Sequence, residues 1–169
     1  MSLREEIEKL ILLEQEKLAT HERKENEFHA RQRERFAPLR KVLDELLGSV
    51  ESAYLRGQVS DQSATIEVGK STHSRSFETD IRWEIEPNFG TRSSGKEDEG
   101  LFHEEGGFRV QETQYYNSLG LFHPESAEPS ERTHVFATEL QVCEYLAKRV
   151  AEKVAFYRHS AGLANRAKA

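Results

Sequence analysis

Cysteine is nearly missing from this chain: Cys143 is the single one in 169 residues. One cysteine excludes an internal disulfide framework and a cysteine-based metal centre. Cys143 stands among apolar residues in a helical pattern, which reads as a small buried hydrophobe. Long apolar runs are missing too. No segment approaches the ~20 residues of a membrane span, and Met1-Ser2-Leu3-Arg4-Glu5-Glu6 lacks the basic-then-apolar order of a secretory signal. The expectation is a cytoplasmic protein with no membrane attachment. A nucleophile elbow, a phosphate-cradling glycine loop and a His-Glu-x-x-His helix are all lacking, so the common hydrolase and nucleotide-enzyme signatures fail. No cofactor is implied.

Positive charge is scarce in the middle of the chain. Residues 58–137 hold 7 Lys and Arg against 15 Asp and Glu, whereas residues 1–57 are close to balanced and residues 138–169 carry 6 against 3. An acidic centre repels a phosphate backbone, so nucleic-acid binding is not expected.

What the chain does have is helical and strand periodicity. Ser2 followed by Glu5 has the spacing of a capping box, and Leu3, Ile7, Leu10, Ile11 and Leu18 then recur at helical steps as an apolar stripe. From Thr20 to Arg35 only Phe28 and Ala30 are apolar. A helix polar all round must be exposed or bridge two bodies, so this one is expected to project, helped by pairs such as Glu5 with Lys9 and Glu27 with Arg31. Pro38 predicts a break at Phe36–Pro38 and a second helix carrying Leu39, Val42, Leu43, Leu46, Leu47, Val50 and Tyr54, with Gly57 as its cap.

Phe77 to Glu86 alternates apolar odd positions, Thr79 excepted, with charged even ones, the pattern of a strand wet on one face. Ala64–Val68 reads the same way. Gly106-Gly107 between Leu101–Glu105 and Phe108–Tyr116 predicts a two-residue hairpin. His134–Ala137 makes a short last strand. Thr138 with Gln141 caps a final helix whose stripe is Leu140, Cys143, Ala147, Val150, Val154 and Tyr157, widened by Val142 and Leu146, with a stop at Gly162. Strands grouped between helices give an α+β fold: a long N-terminal helix, a second helix, an antiparallel sheet of about five strands covered on one face, and a C-terminal helix. The expected division is a projecting oligomerisation helix over 1–36, a body over 37–160 and a frayed tail over 161–169.

Two functional readings follow. Leu3, Ile7, Leu10, Ile11 and Leu18 lie beyond a charged spacer with nothing local to bury them, which implies a homo-oligomer or another protein partner. The chain then reads as a non-enzymatic interaction or assembly protein. The alternative rests on a doubled six-residue stretch, Gly100-Leu101-Phe102-His103-Glu104-Glu105 and Gly120-Leu121-Phe122-His123-Pro124-Glu125. His103 with Glu105 and His123 with Glu125 would each present two metal ligands on one side of a strand, suiting zinc, iron or manganese. Arg75, Arg82 and Arg109 are expected to pair with Asp80, Glu84 and Glu112 on the sheet's wet face, and Trp83 is expected in the core.

Overall fold

The computed structural model describes residues 2–49, 53–71, 76–89, 104–115 and 128–167. The fold is α+β. Helix α1 (Leu3–Ser49) is followed by strands β1 (Leu55–Val59), β2 (Ala64–Ser71), β3 (Phe77–Phe89), β4 (Glu104–Gln114) and β5 (Ser130–Phe136), and helix α2 (Glu139–Ala167) closes the chain. The strands form one antiparallel sheet in sequence order, β1-β2-β3-β4-β5. Both helices lie on the same face of it: α1 packs on β1 and β3, and α2 packs on β2, β4 and β5.

Capping starts both helices as the spacing predicts. Ser2 Oγ accepts from Glu5 N and Glu5 Oε2 accepts from Ser2 N at 2.8 Å, while Thr138 Oγ1 accepts from Gln141 N. Gln141 Oε1 reaches one residue further back, to Ala137 N. Pro38 does not break the first helix. The 47 residues of α1 run through it, so the expected second helix is, as far as Ser49, the C-terminal part of the first; Tyr54 lies in a turn beyond its end, and Val50 lies outside the described residues. Proline in a helix interior costs about 3 kcal/mol. Here it is exposed, while Phe36 and Leu39 on either side are fully buried; keeping both in the core needs the helix to continue. α2 likewise continues through the expected stop at Gly162 to Ala167.

The sheet's strand count matches expectation with different members. Gly106 and Gly107 lie inside β4 and make no hairpin; Pro87 pairs with Phe108 and Phe89 with Glu104, so the two glycines sit in a bulge of one long strand. Gly107 has φ +88°, and a Cβ there would come within 2.1 Å of the Phe136 carbonyl oxygen, so only glycine fits. The fifth strand is β1, which includes Gly57, the residue expected to cap a helix.

The core is a continuous cluster in which Phe36, Leu39 and Leu43 of α1 and Val142, Leu146, Val150, Val154 and Tyr157 of α2 cover cross-strand rows of the sheet. One row is Ala64, Ile85 and Val110; the next is Ile66, Trp83 and Glu112. Trp83 is fully buried, as its alternation requires. Phe77 departs from that alternation. The register shifts between Val68, opposite Ile81, and Gly69, opposite Thr79, leaving Asp80 as an extra residue in β3. A one-residue bulge exchanges the faces. Phe77 and Thr79 therefore join Arg56 on the wet face, with the Arg56 guanidinium 4.4 Å from the Phe77 ring centroid, and Asp80 turns to α2.

Candidate interaction site

Every residue of α1 from Leu3 to Glu27 is exposed, and the helix meets the body first at Phe28, followed by Gln32 and Phe36. At 1.5 Å per residue the free part is about 37 Å long. On it Leu3, Ile7, Leu10, Ile11 and Leu18 are 72%, 48%, 55%, 50% and 69% exposed. The structure places all five on one side, since at 100° per residue they fall within an arc of about 100°. Leu13 extends the stripe at its border and Leu12 lies off it, both exposed. Arg4 pairs with Glu8 on one flank at 3.2 Å, and Lys17 on the other flank reaches Glu14, a charged residue inside the stripe's arc, at 2.7 Å. They are solvated and contribute tenths of a kcal/mol each. Among the described residues no other surface carries aliphatic side chains in such a row.

His103, His123 and Glu125 lie outside the described residues. Glu105 belongs to β4, with only its backbone described. Among the described residues no group of three or more His, Cys, Asp and Glu is placed to hold a metal ion.

Of the expected wet-face pairs, only Arg82 with Glu84 is seen, at 3.1 Å along one strand and not across two. Arg109 lies 3.8 Å from a different carboxylate, Glu86, its cross-strand partner, and Arg75 lies outside the described residues. Glu112 does not join them. It shares the inward row of Trp83 and Ile66 and is 2% exposed. Four donors close on it: Oε2 accepts from Trp83 Nε1 at 2.9 Å and from the Tyr145 hydroxyl, and Oε1 accepts from Gln114 Nε2 at 2.9 Å and Arg149 Nη2 at 3.2 Å. Burial alone would push this carboxyl up, but the bonds from Tyr145, Trp83, Gln114 and Arg149 together hold it at about 2. Burial and the Glu112 carboxylate push the Tyr145 hydroxyl up to about 12. A carboxylate so well satisfied is a poor general base, and a phenol so weakly acidic is a poor proton donor near neutral pH. The cluster pins α2 to β3 and β4. Its signal in the sequence is the parity Glu112 shares with Phe108 and Val110.

A second pin holds the other end of α2. The Tyr157 hydroxyl donates to Asp80 Oδ2, and burial followed by the Asp80 charge raises the phenol above its usual range. Beside it lies an open cleft of about 290 Å³ lined by Lys70, Asp80, Gln114, Tyr115, Lys153 and Phe156. That is at the small end of ligand pockets, and Asp80 opposes its two lysines.

No protein family, curated protein or solved structure matches this chain. Among the described residues no helix is long and apolar enough to cross a membrane.

Proposed function

We propose that this is a non-enzymatic interaction or assembly protein that self-associates or docks on a protein partner through the first five turns of α1. The observation that carries the reading is the exposed row Leu3, Ile7, Leu10, Ile11 and Leu18 on a helix segment that makes no contribution to the body's core. Leaving five aliphatic side chains in water forgoes stabilisation of roughly 25 cal/mol per Å² of apolar area, which a partner would recover. Within the body, the buried polar cluster offers no free acid or base, and Glu112 serves the fold. The lone cysteine is compatible with work in a reducing compartment such as the cytoplasm.

Sedimentation of the full chain at tens of micromolar, beside Leu10→Asp, tests the reading. Association beyond the monomer is expected for the former and loss of it for the latter, because the substitution puts a carboxylate into an apolar contact. A full chain that stays monomeric counts against self-association, and an association indifferent to Leu10→Asp would refute the stripe as its seat.

A further inference from the structure

The stripe has a direction. Phe28, Gln32, Phe36, Leu39 and Leu43, the side of α1 buried against the body, fall within the same arc around the helix axis as Leu3, Ile7, Leu10, Ile11 and Leu18. One continuous face of α1 therefore covers its own sheet from Phe28 onward and is bare before it. Whatever covers the bare half lies on the same side as the body, beyond its end. We propose that the occupant is the same stripe of a second copy, running antiparallel, so that two bodies sit at opposite ends of a paired rod; this rests on the reading of the stripe as the association surface.

Two physical arguments select that arrangement. Paired helices lie 8–10 Å apart. In a parallel, in-register pair both bodies would emerge on the facing sides of the two helices, only about 15 Å past the last stripe residue, and would overlap. An antiparallel pair sends each body away from the other. Charge complements the geometry. With the two-fold axis near residue 12, Glu6 on one flank of the stripe comes opposite Lys17 of the second copy, and Arg4 on the other flank comes near Glu22. Their present intrahelical pairs are exposed and exchange at little cost. A lipid surface is a poorer occupant, because residues 3–18 carry three basic against five acidic side chains, the wrong balance for an anionic bilayer. A free helix of this length would be marginal alone; here the anchored part of α1 nucleates it.

The single native cysteine makes a distance test direct. In a Cys143→Ser background, spin labels at Glu25→Cys and, separately, at Leu12→Cys are measured in the full-chain dimer by pulsed electron resonance. The antiparallel rod places the two residue-25 backbones about 40 Å apart and the two residue-12 labels, on the outer sides of the pair, within about 30 Å. Both distances short means a parallel pair and overturns the antiparallel proposal while leaving the stripe reading intact. A monomer at hundreds of micromolar overturns the second copy as occupant. A dimer that Leu10→Asp does not weaken overturns the stripe reading itself. Glu6→Lys is expected to weaken association several-fold, and adding Lys17→Glu is expected to restore it; failure of the double variant to recover counts against the antiparallel register.

Discussion

Glu112 shows how one residue can be inward by position and polar by nature. Its four donors come from three elements, β3, β4 and α2, so the carboxylate acts as a clamp with a pH dependence. Its folded pKa of about 2 lies below the ordinary 4.5. The ionised form is therefore favoured by folding: the contribution is full above about pH 5 and is lost as pH falls through 4.5 towards 2. Linkage puts its size at about 3 kcal/mol. Urea unfolding from pH 7 to pH 2.5 is expected to show this loss in the native chain and to show less of it in Glu112→Gln. Removing a partner tests the same clamp. Trp83→Phe keeps an aromatic ring and deletes one donor, with an expected cost of about 1–3 kcal/mol. Trp83→Ala also opens a cavity and should cost at least 3–5 kcal/mol.

Among the elements, α1 divides at Phe28 where a reading from Pro38 would divide it later. Phe36 is fully buried, and Arg35 Nη2 donates to the Gly107 carbonyl at 2.7 Å, across the bulge that only glycine permits. A fragment beginning at residue 25 is expected to melt with the full chain's body, whereas one beginning at residue 37 loses Phe28, Gln32 and Phe36 and should be less stable by several kcal/mol. Calorimetry of the two fragments decides between the boundaries. Gly107→Ala tests the bulge in the same way: a Cβ at positive φ, set against the Phe136 carbonyl oxygen, should destabilise by more than the about 1 kcal/mol of an ordinary glycine replacement.

At the scale of the molecule, the proposed function gives the body and the free helix separate duties, so their perturbations should separate. Leu10 and Ile11 touch no core residue, and Leu10→Asp is expected to change the mass in solution while leaving the body's unfolding midpoint within about 0.5 kcal/mol, the usual range for exposed positions. Glu112→Gln is expected to do the reverse. A midpoint that rises with protein concentration in the native chain, and is independent of it in Leu10→Asp, would contradict that separation, since it couples association to the body's folding through mass action.

Local chemistry determined a good deal by itself: the α+β class, the caps at Ser2 and Thr138, the inward alternation around Trp83, and the exposed row from Leu3 to Leu18 all follow from spacing, because each depends on residues near one another in the chain. Thr79 already broke the apolar alternation, yet nothing local says that a bulge at Asp80 follows and turns Phe77 outward. That is decided by pairing with Gly69 across the sheet. Pro38 and Gly162 stop helices by intrinsic preference, and core packing on both sides of Pro38 overrides the preference there. Gly106-Gly107 has hairpin composition, but the neighbouring strands already supply partners on both sides of β4, and the glycines serve a bulge. Glu112 could be placed among inward residues by parity, whereas its donors Tyr145 and Arg149, 33 and 37 residues away, become neighbours only when α2 lies across the sheet. Whether the Leu3 stripe had a direction was likewise undecided until burial from Phe28 onward located the body on the same face, since helical phase becomes an orientation only after one end of the helix is anchored.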